Sequence, residues 1–424
     1  MKKLILLFLA IGVSDSATAV DCQSGVYTGA ANSVVLYDRM NEQAADELHY
    51  LLVDGRGGTV GDDGIIQCQS GTMVTVDNDQ LQKLELRETD TRFPSSELDL
   101  AGRLIEPAQE AADRPLVVLV HGSEKTATIG ASPYPYILAA QGIAAFAFDK
   151  RGTGSSDGHY TQDFQALASD VAAASREAKR LAQGRFARFG LFGSSHGGWI
   201  APLAAKPGGA GFLVVAFGLV LTPMEEDAEQ VYDEMRRMGY PEAEIAKARD
   251  VTDATGVIVA SRFTAGFDKL EAVKQKYSDS PWLREIEGEF TGAVLRASES
   301  DLRSGTSGDF EDLDMPWRHD ALAVLQTLGV PQLWVIADED TVAPGMLTRR
   351  RLASLQSDGL PITTALFPDT EHGMLEFIEE TDGSRRYTHI TEGYFRLVAD
   401  YMKEKYEPPY GRAEIMRPEV AAIR

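Results

Sequence analysis

The stretch Leu191-Phe192-Gly193-Ser194-Ser195-His196-Gly197-Gly198-Trp199-Ile200 sets a serine among glycines, between two different hydrophobic patterns. Before it, residues 186–192 read as a short apolar strand. After it, Trp199, Ile200 and Leu203 recur at helical spacing until Pro207 and Gly208 stop the run. The serine therefore falls in a strand-to-helix turn. Gly193, Ser195 and Gly197 satisfy G-x-S-x-G, in which the serine is held at a strained backbone and its neighbours must be small so that strand and helix can approach. Ser195 is thus the candidate nucleophile. The same five positions also occur as a plain glycine-rich turn, so the assignment depends on what surrounds them.

Upstream, residues 116–120 form a continuous apolar run ending at His121-Gly122-Ser123. Residues 136–140 read as a helix closed by Gly142, and residues 143–148 as a strand ending at Asp149. Phe164, Leu167, Val171 and Ala174 fall on one face of a helix over 163–181. Downstream, 212–216, 332–336 and 362–367 are further strands. Strands alternating with helices indicate an α/β fold with a mostly parallel sheet flanked by helices. Residues 223–329 carry a helical pattern broken at Gly239-Tyr240-Pro241, Gly266 and Pro281, which reads as a helical cap insertion. Ligands bind beyond the carboxyl ends of such strands, so an insertion leaving from there is placed to roof the site.

The chain opens with Met1-Lys2-Lys3, an apolar run from Leu4 to Val13, and Ala17-Thr18-Ala19, the pattern of a secretory signal peptide over 1–19. The run is too short to span a bilayer. Cys22 invites a lipoprotein reading, but Asp21 stands where a lipobox needs a small residue. Residues 20–90 alternate short β-type runs with Gly/Asp turns and read as a small β-rich unit. The expected organisation is therefore signal peptide 1–19, β-rich unit 20–90, core 91–222, insertion 223–329, core again over 330–406, and a C-terminal tail over 407–424. The two cysteines, Cys22 and Cys68, are expected to form a disulfide in a periplasmic or secreted protein.

A formal net charge of −23 repels phosphate backbones and anionic lipid heads, which disfavours nucleic-acid and membrane partners. The histidines are scattered and no Cys-x-x-Cys pair occurs, so neither metal nor cofactor is expected. A serine hydroxyl needs a base to take its proton, and that base needs an acid to orient it. Thr370-Glu371-His372-Gly373 follows one late strand; Asp338-Glu339-Asp340 follows another. The chain order is serine, acid, histidine. Backbone amides must hold the developing oxyanion, and position assigns them to Ser123 and His196. His196 as a second base competes with a packing role at the helix start.

These residues resemble the α/β-hydrolase superfamily across roughly 98–405. His121-Gly122-Ser123 is similar to its oxyanion turn, Asp149-Lys150-Arg151-Gly152-Thr153-Gly154-Ser155-Ser156 to its D-x-R-G-x-G-x-S loop, and Ser195 to its nucleophile. The long insertion and the Gly-Gly-Trp-Ile-Ala-Pro helix start are similar to exported esterases and to the prolyl-oligopeptidase-like and dienelactone-hydrolase-like branches. The resemblance implies Asp340 as the acid, with Asp338 as the alternative, and His372 as the base. It implies a serine hydrolase cleaving carboxylic esters through an acyl-enzyme. The alternative is a peptidase acting on aminoacyl or dipeptidyl substrates, and a non-catalytic binding protein on this scaffold would show a broken triad. Small acyl esters or short peptides are the expected partners.

Overall fold

Along the strand Pro115–Val120 the side chains divide by parity: Leu116, Val118 and Val120 enter one hydrophobic core, Val117 and Leu119 another. Phe212–Ala216 divides in the same way. A strand apolar at every position must be covered on both faces, which is the physical basis of the three layers seen here. The computed structural model describes residues 22–38, 47–304 and 314–418. The expected signal peptide lies outside them.

The main sheet has nine strands: β8 (Leu86–Ser95), β9 (Leu98–Pro107), β10 (Pro115–Val120), β11 (Ala144–Phe148), β12 (Arg188–Ser194), β13 (Phe212–Ala216), β14 (Gln332–Ala337), β15 (Ile362–Phe367) and β19 (Glu414–Met416). Their spatial order is β19-β15-β14-β13-β12-β10-β11-β9-β8. From β11 to β15 every pairing is parallel, while β9 joins β11 and β19 joins β15 antiparallel. The chain goes from β10 to β11 on one side and returns to β12 on the other. That reversal opens a crevice at the carboxyl ends of β10 and β12.

Helices α2 (Phe164–Ala182), α3 (Gly197–Gly208) and α10 (Met346–Ser357) cover one face. The opposite face carries α1 (Tyr134–Ala140) and α11 (Tyr394–Met402). Asp163 starts α2 by accepting from the amides of Gln165 and Ala166.

A second sheet of seven antiparallel strands spans Gly25 to Lys83: β1 (Gly25–Thr28), β2 (Ser33–Asp38), β3 (Leu48–Leu52), β4 (Gly57–Thr59), β5 (Ile66–Ser70), β6 (Met73–Val76) and β7 (Asp79–Lys83). Tyr27, Val34, Leu36, Tyr50 and Leu52 form its own core, whereas Val26, Val35 and Leu51 face the main body. Cys22 and Cys68 are disulfide-bonded, with Cα atoms 5.3 Å apart. The main sheet starts four residues before the boundary expected at 90, because β8 belongs to it. Of the residues read as a tail, Glu414–Met416 adds an edge strand.

Between β13 and β14 lie helices α4 (Pro223–Arg237), α5 (Glu242–Ala260), α6 (Phe267–Lys276), α7 (Thr291–Arg296), α8 (Glu299–Ser304) and α9 (Ala321–Gln326). α4 opens with a reciprocal Thr222–Glu225 capping box. The insertion has its own core, built on Val231, Met235, Val251, Ile258, Trp282 and Phe290. After β15 a small sheet follows: β16 (Thr370–Glu371), β17 (Leu375–Glu379) and β18 (Arg385–Ile390). None of the described helices is long and apolar enough to cross a membrane.

Candidate active site

Ser195 has φ 51°, a left-handed conformation that strains any residue with a Cβ. The surroundings over-determine it: its amide donates to the Ala216 carbonyl at 3.0 Å, and its carbonyl accepts from the Gly198 amide at 2.7 Å. A Cβ at Gly193 would strike the Gly197 carbonyl, and one at Gly197 would strike the Val120 carbonyl. The glycines of the motif are therefore required by close approach.

His372 Nε2 lies 3.0 Å from Ser195 Oγ, and His372 Nδ1 lies 2.9 Å from Asp340 Oδ2. An ionised carboxylate only accepts, so Nδ1 carries a proton and Nε2 is free to accept from the serine hydroxyl. Asp340 is buried, and its Oδ1 also accepts from the amides of Val342 and Ala343 at 3.0 and 2.7 Å. Burial pushes its carboxyl above the ordinary value, while His372 and the Ala343 amide oppose that. The other two acids of the loop point elsewhere. Asp338 takes Arg349 at 2.7 Å, and Glu339 takes Arg385 at 2.8 Å.

Glu371 was not singled out by its residue type, yet it joins the two loops that meet here. It accepts from the Thr341 amide at 3.0 Å, the Thr341 hydroxyl at 2.5 Å, the His372 amide at 2.8 Å and Arg385 at 2.9 Å. Burial alone would raise its carboxyl; Thr341, the His372 amide and Arg385 reverse that and hold it below the ordinary value. The one signal in the sequence was its adjacency to His372, since Arg385 comes from a hairpin with no motif.

The turn His121-Gly122-Ser123 faces Ser195 after β10. The amides of Ser123 and His196 donate to no other group among the described residues. His121 Nε2 donates to the Phe148 carbonyl at 3.0 Å, and its Nδ1 lies 3.3 Å from Glu124. Burial would raise the Glu124 carboxyl, but His121 and Lys150 pull it down to about 2. The His196 side chain is buried edge-on to Phe164 and Trp199, and neither ring nitrogen has a partner among the described residues. Burial pushes it down to about 3, so it is a neutral packing ring.

Asp149 holds the loop beside this turn by accepting from the amides of Thr128, Ile129 and Ser155 at 2.8–3.0 Å. Arg151 reaches α2 through Asp170 at 2.7 Å, and Asp157 takes Arg92 at 2.9 Å. A cavity of about 530 Å³ opens at Ser195 and His372, with Leu119, Tyr134, Phe192 and Phe217 among its walls. Among the described residues, none from 223–329 lines it. The insertion expected to roof the site instead meets the Asp340 loop and α10: Gln230 donates to the Val342 carbonyl, and Arg351 holds Glu225 at 2.6 Å. Among the described residues, no cluster of three or more His, Cys, Asp or Glu could hold a metal ion.

Residues 111–254 match the family model described as serine aminopeptidase, S33. No curated protein matches the sequence. Among solved structures, an esterase of Pyrococcus furiosus is 15% identical over 68% of this chain and 83% of its own, with a TM-score of 0.42. An acylaminoacyl peptidase of Pyrococcus horikoshii is 16% identical over 92% of this chain and 51% of its own, with a TM-score of 0.46. A proline iminopeptidase of Mycobacterium smegmatis is 17% identical over 74% of this chain and 98% of its own, with a TM-score of 0.43. The parallel sheet reversing at β10 and the strained serine turn after β12 give this chain an α/β-hydrolase fold, and its residues 111–254 are similar to the serine aminopeptidase family model.

Proposed function

We propose that the protein is a serine hydrolase acting on small or medium carboxylic esters, with Ser195 as nucleophile, His372 as base and Asp340 as orienting acid. The observation that carries this reading is the continuous relay from Ser195 Oγ through both ring nitrogens of His372 to Asp340, opening on a cavity with apolar walls. Ser195 Oγ attacks the ester carbonyl as its proton passes to His372 Nε2, and Asp340 stays ionised and stabilises the imidazolium. The amides of Ser123 and His196 donate to the oxygen that becomes negative. Collapse of that intermediate expels the alcohol, which takes the proton from Nε2. Water then repeats the sequence on the acyl-enzyme, releasing the acid and restoring Ser195.

A second reading, hydrolysis of aminoacyl or peptide amides, is favoured by the match of 111–254 to a serine aminopeptidase model. Both readings share the chemistry and differ in the leaving group. The Cys22–Cys68 bond supports export to an oxidising compartment.

The test combines a fluorophosphonate probe with a substrate panel. Wild type should be labelled and Ser195→Ala should not; equal labelling of both would remove Ser195 from the mechanism. Esters of graded acyl length, set beside aminoacyl and dipeptidyl amides, decide the substrate class. Higher kcat/KM on the amides would replace the ester reading with the peptidase one.

A further inference from the structure

Ser123 N–H and Gly122 C=O belong to one peptide group. The proposed oxyanion donor is therefore one end of an amide whose other end is already engaged: the Gly122 carbonyl accepts from Lys150 Nζ at 2.7 Å. A cation on a carbonyl oxygen draws electron density through the amide and leaves its N–H more positive, so the two hydrogen bonds reinforce each other. The lysine is 4% exposed, and its ammonium also lies over the Tyr160 ring at 5.2 Å. Tyr160 in turn donates its hydroxyl to the Ser123 carbonyl at 2.6 Å. The peptide units on both sides of the Ser123 Cα are thus held by side chains from the loop after β11.

We propose that Lys150 is a positioning residue that tunes the oxyanion hole, polarising the Gly122–Ser123 peptide so that the Ser123 amide donates more strongly as charge develops on the substrate oxygen. The inference rests on the hydrolase reading. Its gain is selective for the transition state, because a neutral ester carbonyl responds less to a polarised donor than an oxyanion does. The loss on removing Lys150 should therefore appear in kcat and not in KM.

The charge of Lys150 is also exposed to pH. Burial pushes its ammonium down to about 8, with Glu124 opposing the fall. The other groups facing it are His121 on the turn, His196 at the start of α3 and the Tyr160 ring, which Lys125 also approaches at 5.2 Å. Asp149, its neighbour in the chain, spends its carboxylate on the Thr128, Ile129 and Ser155 amides. A kcat profile on a non-ionising ester should accordingly fall above about pH 8, as the ammonium becomes an amine that polarises the peptide less.

The experiment compares wild type, Lys150→Met and Lys150→Arg on one ester, with thermal unfolding of each and Ser195→Ala as the blank. Lys150→Met should lose about tenfold in kcat with KM within about twofold, and its remaining activity should lack the alkaline limb. Lys150→Arg should recover most of kcat and carry the limb beyond the range assayed. Wild-type kcat in Lys150→Met, or equal losses in Met and Arg variants that unfold at the wild-type temperature, would overturn the proposal while leaving the hydrolase reading intact. Should Lys150→Met not fold, the wild-type profile decides, and a flat kcat from pH 7 to 10 overturns it. Turnover surviving in Ser195→Ala overturns both.

Discussion

Arg385 donates to Glu371 at 2.9 Å, and through that contact a hairpin that follows His372 in the chain grips both the His372 loop and the Asp340 loop. Glu371 spends its remaining capacity on Thr341, next to Asp340, and on the amide of His372 itself. Losing the carboxylate frees the two loops to move separately, and small misplacements of reacting groups are costly. Glu371→Gln should lower kcat by about tenfold to a hundredfold with KM nearly unchanged. Arg385→Met should lower kcat less and also lower Tm, because it leaves Glu371 buried with one donor fewer. Steady-state kinetics and thermal unfolding on both variants check this; a change confined to KM would refute the positioning role.

Only one of three consecutive acids reaches the imidazole. Asp340→Asn should cost about 10⁴-fold in kcat, by analogy with amidation of a serine protease's triad acid. Asp338→Asn and Glu339→Gln, whose partners are Arg349 and Arg385, should stay within about tenfold of wild type. The three are to be assayed side by side on one ester. A large loss at position 338 with near-normal turnover at 340 would move the assignment.

Asp227, in α4, is fully buried and accepts from the Phe290 and Thr291 amides and the Thr291 hydroxyl at 2.6–2.9 Å. Burial pushes its carboxyl up to about 7, against the pull of those donors. A folded-state value above the unfolded one means the native state binds the extra proton. Stability contributed by this group is therefore lost as pH rises from about 4 to about 7, and stays lost above that. Asn keeps the two amide bonds and carries no charge. Asp227→Asn should gain little at pH 4 and about 2–4 °C in Tm at pH 8. Calorimetry across that range checks the sign, and a gain that shrinks with rising pH would contradict it.

The Cys22–Cys68 bond closes 46 residues of a sheet whose private core is a handful of side chains. Chain-entropy reasoning assigns such a loop about 4 kcal/mol before native-state strain is counted. Cys22→Ser should lower the unfolding midpoint of the β1–β7 sheet more than that of the main body. Hydrogen exchange resolved by segment would show it; uniform loss of protection across both sheets would contradict a local effect.

How much of this could be read without coordinates depends on where each side chain points. Strands β10 to β15 are apolar because both faces are covered, so periodicity alone marks them. The motif serine, the histidine loop and the acid loop come together because all three follow strands at the same end of that sheet. β8 was harder to place: Glu88, Asp90 and Arg92 give it the composition of a surface turn, yet it pairs with β9 over its whole length. Its outer residues satisfy one another across the pair, as Arg103 does with Asp90 at 2.6 Å. The hairpin β17–β18 was illegible for the same reason, since an exposed ribbon needs no apolar pattern. The insertion's helices were visible as helices, but their direction of packing depends on single contacts such as Gln230 to Val342, which no periodicity encodes.

Besides the side chains that face the main body, the seven-stranded sheet meets β18 through main-chain contact. Ile390, at the end of β18, donates its amide to the Gly55 carbonyl at 3.1 Å, and a Cβ at Gly55 would collide with the Ile390 carbonyl. Side chains absorb displacement by changing rotamer; two main chains in contact cannot. The far end of that same strand carries Arg385, and from there the path to His372 is one carboxylate long. The seven-stranded sheet is thus an abutment for the loop that carries His372, the proposed base, and Gly55→Ala, more than 300 residues from His372 in sequence, should shift the pH–rate profile without changing any residue that lines the cavity.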